Sequence, residues 1–260
     1  FVSDSVLTPD LWEARGQLAE SSASILMKLL WLARLSRPDI NFPVVSLAAQ
    51  ISKWSRADDL RLKRLVGYVK QTAHFGIMGE VAKTEVPPLI RAFCDSDLAG
   101  CVTSCKSHSG IFTVIESGDR LFPISWTSKR QSAVARSTTE AELASANEGV
   151  FQDMIPTKSL LERILGFPVD SLLMEDNSAC ITVLESGYSP KLRSMPRTHR
   201  ISVAALSEAI SNNLIKLQYV ESRNQLADIL TKALNRALFL ELRTRLGILP
   251  PPTKETKDLT

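Results

Sequence analysis

The sequence predicts an α/β protein, with a helical first third followed by a domain built on one mixed five-stranded sheet. Three observations point there. From Leu18 to Gln71, apolar residues recur at three- and four-residue spacing, the period of helices with one buried face. After Val86-Pro87-Pro88 the texture changes to short β-branched and aromatic runs separated by turn residues. From there to the end the elements follow the order βββαβααβα, which packs as a single sheet covered by helices.

Residues 18–35 form the first helix, stopped by Arg37-Pro38. Residues 41–54 and 58–71 read as two more amphipathic helices, the second carrying Arg and Lys on one face. A short strand is expected at 74–78. Residues 89–94 alternate and end in acid, and with 110–115 and 122–126, linked through Ser117-Gly118-Asp119, they make a meander. A long helix (139–165), a strand (172–174) and a helix (177–186) follow. After a polar stretch come a helix (199–211), a strand (214–220) and a closing helix (225–246). Pro156 falls inside the long helix and is expected to kink or break it, because it removes a backbone donor. The expected boundaries are 1–85 for the helical part and 89–247 for the α/β domain, with 248–260 as a disordered tail rich in Pro, Thr and Lys.

Composition excludes some classes. At 260 residues and 44% hydrophobic, the chain can bury a core in one or two domains. Lys+Arg 31 against Asp+Glu 28 leaves a net charge of +3, too mild to announce a nucleic-acid binder by itself. Cys94, Cys101, Cys105 and Cys180 form no C-x-x-C pair, and three histidines supply no zinc spacing, so free thiols in a reducing compartment are expected. The run 25–35 is apolar but interrupted by Lys28 and Arg34 and is too short to span a bilayer, so no membrane association is expected. The opening residues include Asp4 and Asp10 and lack a basic secretory start. The missing initial Met is what a fragment or a processed piece would show.

The chemistry lies in the acids. Asp95 ends the first strand of the meander and Asp176 ends the fourth strand; Glu142 and Asp228 fall near the starts of the long and closing helices. Strand-end acids project into the crevice at the edge of an α/β sheet. Four carboxylates there repel one another unless cations neutralise them, which suits a hard divalent metal with oxygen ligands. Two Mg²⁺ ions roughly 3.5–4 Å apart would activate water and stabilise the leaving oxygen of a phosphodiester. Taken singly, Glu142 or Asp228 is equally a helix cap or a solvated acid; the quartet is the signal.

Five motifs then carry a resemblance. Phe93-Cys94-Asp95-Ser96-Asp97-Leu98-Ala99-Gly100, Ile124-Ser125-Trp126-Thr127-Ser128-Lys129-Arg130-Gln131, Ser137-Thr138-Thr139-Glu140-Ala141-Glu142-Leu143, Glu175-Asp176-Asn177-Ser178-Ala179 and Asn224-Gln225-Leu226-Ala227-Asp228-Ile229-Leu230-Thr231-Lys232 resemble, in order, the ribonuclease H domain of copia-type retrotransposon polyproteins. Ser36-Arg37-Pro38-Asp39-Ile40 and the helix 62–70 resemble the thumb and connection region behind the polymerase palm. The resemblance implies a ribonuclease H-like fold preceded by a small helical thumb/connection segment. It implies a metal-dependent endonuclease that cuts the RNA strand of RNA–DNA hybrids during reverse transcription. Asp95, Glu142, Asp176 and Asp228 would be both metal ligands and catalytic residues for two Mg²⁺, with Mn²⁺ as a substitute. The implied partners are the hybrid and the polymerase domain of the same polyprotein, in an intracellular setting, either a cytoplasmic particle or the nucleus.

Neighbouring acids compete for these roles. Strand alternation points Glu175 away from Asp176, and Glu140 lies about 200° around a helix from Glu142. Asp97 stays open as an outer acid. The sequence also departs from the family. Leu98 and Leu143 stand where rings are usual, and Arg197-Thr198-His199-Arg200-Ile201 exchanges a basic residue with an imidazole. No His lies between 199 and 228, so water or Arg223 would serve where cellular ribonucleases H use a mobile His. From Ser186 to Ser207 there is no acid, and Arg193, Arg197 and Arg200, with Lys191, form a stripe suited to phosphates, or to a solvated loop. Lys129, Arg130 and Arg136 are a second such group. Thr138, Asn177 and Ser178 are candidates to reach a 2′-hydroxyl. Two other readings stay open: a catalytically inactive remnant acting as a folded nucleic-acid-binding or structural module, and a related nuclease on the same fold. The order Asp–Glu–Asp–Asp argues against an integrase, whose triad ends in Glu.

Overall fold

In a computed structural model, which describes residues 7–82, 86–101 and 104–251, the chain divides into two compact units. The first comprises residues 1–78 with 233–260, and the second 79–232. This differs from the expected boundaries at 85 and 247, because the closing helix belongs to the helical unit.

That unit contains α1 (Pro9–Glu13), α2 (Ala19–Leu35), α3 (Asn41–Ala48) and α4 (Arg56–Gln71). Leu26, Leu29, Ala33, Ile40, Val44, Leu47, Trp54, Leu62 and Leu65 form its core. The helix expected over 41–54 ends early and gives way to a 3₁₀ turn, Ile51–Lys53. A capping box between Ser55 and Asp58 then starts α4. Arg37 is buried and satisfied: Nε and Nη2 donate to Asp39 at 2.9 and 2.8 Å, and Nη1 donates to the Thr72 carbonyl at 3.0 Å. The Tyr68 hydroxyl donates to the same Asp39 at 2.6 Å. Further along, β1 (Gly76–Ile77) pairs antiparallel with Ile248–Leu249 at the other end of the chain. Residues 248 and 249 are therefore a strand, not the start of a disordered tail; the expected tail from 252 on lies outside the described residues.

The second unit holds β2 (Leu89–Asp97), β3 (His108–Ser117), β4 (Arg120–Arg130), α5 (Thr138–Glu148), α6 (Ile155–Leu165), β5 (Asp170–Glu175), α7 (Ser178–Ser186), α8 (Met195–Thr198), α9 (Val203–Ser211) and β6 (Lys216–Tyr219). Its five strands run in the order β4-β3-β2-β5-β6. The β2–β3 and β3–β4 pairs are antiparallel and the β2–β5 and β5–β6 pairs are parallel, so the sheet is mixed as expected. Ala92, Cys94, Ile111 and Leu173 of the sheet pack against Leu143, Ala146, Val150, Met154, Cys180, Leu184 and Leu206 of the helices.

The long helix expected over 139–165 is not broken at Pro156. A π-helical segment, Gly149–Met154, joins α5 to α6, and Pro156 sits in the first turn of α6. The wider turn moves the backbone pairing off the position where a proline lacks its N–H, so the lesion is absorbed downstream of Glu142. The closing helix expected over 225–246 is interrupted. Leu226–Leu230 is a 3₁₀ turn, and α10 (Arg236–Arg245) starts afresh in the first unit, where Asn235 caps it by accepting from the Leu238 N–H. There Phe239 meets Tyr68 edge-to-face at 5.6 Å and Arg243 lies over Phe75 at 4.7 Å. Ile248–Leu249 forms β7.

Gly149 lets the long helix approach β2: a Cβ there would sit 2.4 Å from Cys94 Sγ. Gly149→Ala is expected to destabilise the protein by about 1–3 kcal/mol, the usual cost of overpacking a dense core. Urea denaturation measures it, and an unchanged midpoint would contradict this packing.

Candidate active site

The acids converge on one end of the sheet. Asp95 lies near the end of β2, opposite Gly110 of β3, and Asp176 directly follows β5. The parallel β2–β5 register, which pairs Phe93 with Met174, brings both to the same edge. Glu142 enters from the second turn of α5, whose start is fixed by Ser137, its hydroxyl oxygen accepting from the Glu140 N–H at 3.2 Å. Carboxylate oxygens of Asp95, Glu142 and Asp176 all lie within 4.8 Å of one another. Asp95 and Glu142 are buried and Asp176 is partly so.

Asp228 stands beside this group rather than within it, and on a 3₁₀ turn rather than a long helix. Several contacts press that turn onto the strands. Gln225 Nε2 donates to the Cys94 carbonyl at 2.9 Å, Ser128 Oγ donates to the Leu230 carbonyl at 2.7 Å, and the Thr231 hydroxyl donates to Asp95 Oδ2. His108 Nε2 is 2.8 Å from Ser128 Oγ, whose proton is already committed, so the imidazole is the donor there. Burial first, and Arg130 second, lower that imidazole to about 4, which keeps it neutral. Gly110 permits the close approach: a Cβ would meet Thr231 Cγ2 at 2.6 Å and the Ala227 carbonyl at 2.8 Å. Lys232 Nζ lies 2.7 Å from Asp228 Oδ1 and 3.8 Å from Asp95 Oδ2.

The electrostatics follow from burial and crowding. Glu142 is pushed up to about 11 by burial, then by Asp95, Glu175 and Asp176. Asp228 rises to about 7 through burial and Asp95, against the pull of Lys232. Glu175, fully buried, rises to about 8, chiefly by burial, while its Oε1 accepts from the Asn177 N–H at 3.1 Å. Asp97 is raised by burial, with Lys232 pulling the other way. Glu142 Oε2 is buried with no hydrogen-bond partner among the described residues. An unpaired buried oxygen facing other carboxylates is a place for a cation, and an all-oxygen donor set fits a hard divalent one.

The remaining candidates fall around this centre. Glu140 is buried but turned elsewhere: it lies 3.2 Å from His199 Nε2 and accepts from the Arg136 N–H at 2.9 Å. The side chain of Asn177 caps α7, its oxygen accepting from the Ala179 and Cys180 N–H groups. Thr138 and Ser178 are exposed at the starts of α5 and α7. Arg193, Arg197 and Arg200 are exposed on a segment anchored by buried Leu192, Met195 and Ile201. Sequence reasoning missed the contacts of Thr231 and Lys232 with the acids, although the i, i+4 spacing of Asp228 and Lys232 was visible. It also missed the buried Glu140–His199 pair, for which nothing local gave a signal.

No family model matches the chain. A retrovirus-related Pol polyprotein from transposon RE1 of Arabidopsis thaliana is 26% identical over 228 residues, covering 88% of this chain and 15% of that protein. The corresponding polyprotein from transposon RE2 is 26% identical over 249 residues, covering 94% of this chain and 16% of that protein. Over most of its length the chain is similar to copia-type retrotransposon Pol polyproteins. An uncharacterized mitochondrial protein of the same plant is 39% identical over 120 residues, 46% of each chain. The chain spans under half the length of each of these three relatives. Among solved structures, a ribonuclease H1 isolated from compost superposes with a TM-score of 0.37 at 13% identity, covering 56% of this chain and 92% of that one. The second unit is an α/β domain with a mixed five-stranded sheet flanked by helices, the architecture that the motifs imply. No helix among the described residues is long and apolar enough to cross a membrane.

The raised carboxylates set a pH dependence. As pH rises above about 4, the unfolded chain releases these protons in the ordinary carboxylate range. The folded chain holds them until about 7, 8 and 11 for Asp228, Glu175 and Glu142. The unfolded state therefore binds fewer protons in that window, and metal-free stability falls as pH rises. In EDTA, the melting temperature is expected to drop between about pH 5 and 8, and excess Mg²⁺ is expected to restore more of it at the higher pH. A metal-free melting temperature that climbs over this range would contradict the crowding.

Proposed function

We propose that this chain is part of a retrotransposon Pol polyprotein and a metal-dependent endonuclease that hydrolyses the RNA strand of RNA–DNA hybrids during retrotransposon reverse transcription. The observation that carries the reading is the convergence of Asp95, Glu142 and Asp176 from three separate elements, with Asp228 clamped alongside. These four residues would hold two Mg²⁺ ions, with Mn²⁺ as a substitute. When bound, such ions supply an activated water and charge stabilisation at the leaving oxygen.

The chain's own residues do the rest. Thr231 and Lys232 orient Asp95 and Asp228. Burial around Glu142 excludes bulk water and strengthens local fields. Arg193, Arg197 and Arg200 would bind phosphates of the hybrid from an anchored segment, and Thr138, Asn177 and Ser178 would meet the RNA strand near its 2′-hydroxyls. Asn177 would do so through its amide nitrogen, since its oxygen caps α7. The first unit would be the end of the reverse transcriptase, its thumb and connection. The polymerase part of the polyprotein would be the partner that delivers the hybrid, inside the cell.

Cleavage of a labelled hybrid in Mg²⁺ against an EDTA control tests the reading. Asp95→Asn and Glu142→Gln should each abolish cleavage while the fold persists, and Glu140→Gln should cost far less rate. An Asp95→Asn protein that cleaves at the wild-type rate would overturn it.

The arginine segment has its own test. Changing Arg193, Arg197 and Arg200 together to Ala should flatten the slope of log affinity against log salt by about two to three units, near 0.9 for each duplex phosphate released. The fold should survive, because all three side chains are exposed. A triple variant with the wild-type slope would move the hybrid to another face, with Lys129 and Arg130 next to test.

A further inference from the structure

Lys232 sits four residues after Asp228 and reaches back to it, with Nζ 2.7 Å from Asp228 Oδ1 and 3.8 Å from Asp95 Oδ2. One cation thus faces carboxylates delivered by β2 and by the 3₁₀ turn. Its side chain is 38% exposed, so its tip can swing into solvent without disturbing the core. The opposite side of the cluster has no such partner. Glu142 Oε2 is buried without a hydrogen bond among the described residues, and Glu142 lies within 4.8 Å of Asp95 and Asp176. Close ion pairing therefore falls on Asp95 and Asp228, while Glu142 and Asp176 make no ion pair among the described residues.

We propose that Lys232 is a resident counter-ion that a divalent cation must displace, so that the cluster takes its first ion on the Glu142–Asp176 side and its second only as Lys232 withdraws from Asp228 and Asp95. This rests on reading the acids as a divalent-metal site. Lys232 is a positioning residue in this scheme: it acts through Asp228, holding that carboxylate beside Asp95 before the second ion arrives. An ammonium and a metal ion on the same carboxylates repel each other, so the lysine sets how tightly the second ion binds.

Mn²⁺ binding to the full chain, followed by calorimetry and by electron paramagnetic resonance, tests this without reference to cleavage. Lys232→Met keeps the length of the side chain and removes its charge. It should tighten the weaker of two Mn²⁺ affinities about tenfold, a modest effect because the ammonium is partly solvated. It should also lower the melting temperature in EDTA, where nothing else offsets the repulsion of Asp228 and Asp95. Lys232→Arg keeps the charge and should keep wild-type affinity for both ions. Unchanged or weaker Mn²⁺ binding by Lys232→Met would overturn the counter-ion role and leave the metal reading intact. A wild-type chain that binds no Mn²⁺ saturably would overturn the metal reading, and this inference with it.

Discussion

Like charges held together in a dry place are the constraint on which the second unit is organised. Asp95, Glu142 and Asp176 cannot all ionise there without a cation, because burial removes the water that would otherwise screen them. The scaffold answers with separate anchors for each. The β2–β3 and β2–β5 ladders fix Asp95 and Asp176 in register. The cap at Ser137 and the contact of Gly149 with Cys94 fix the height of Glu142 over the sheet. What looks like ordinary core packing is thus also the mechanical frame of an electrostatic site.

Asp228 has the least regular support, a single 3₁₀ turn, and receives the most side-chain help. Gln225, Ser128, His108, Thr231 and Lys232 all bear on that turn or its acid. The neutral state of His108 matters here, since a protonated imidazole beside Arg130 would cost too much to bury. The same logic keeps Glu140 out of the cluster. Its partnership with Arg136 and His199 consumes a buried carboxylate that would otherwise add a further charge to the crevice.

Much of this was legible in the sequence where local signals are strong. Alternation at 89–94 and short β-branched or aromatic runs after it mark the strands, and Val86-Pro87-Pro88 marks the change of texture. The spacing of Glu140 and Glu142 separated their directions, and the structure turns one to His199 and the other to Asp95 and Asp176. Other features were set by contacts distant along the chain. The closing helix was overextended because Asn235, whose cap begins a new helix in the other unit, sits within a run of good helix formers. Ile248 and Leu249 looked like part of a tail because their strand partner, Gly76–Ile77, is far away in sequence. At Pro156 the penalty of a helix-interior proline does not apply, because the residue stands in the first turn of α6, directly after the π-helical segment.

That π-helical segment has a consequence for how this chain can diverge. A wide turn introduces one extra residue and so rotates everything after it by about 100° relative to the helix before it. The angular phase of α5, which aims Glu142, is thereby uncoupled from that of α6, where every residue keeps some exposure to solvent. Substitutions at the exposed positions of α6 can therefore be made without turning the carboxylate off its target, so the segment acts as a joint between the half that aims Glu142 and the half that faces solvent.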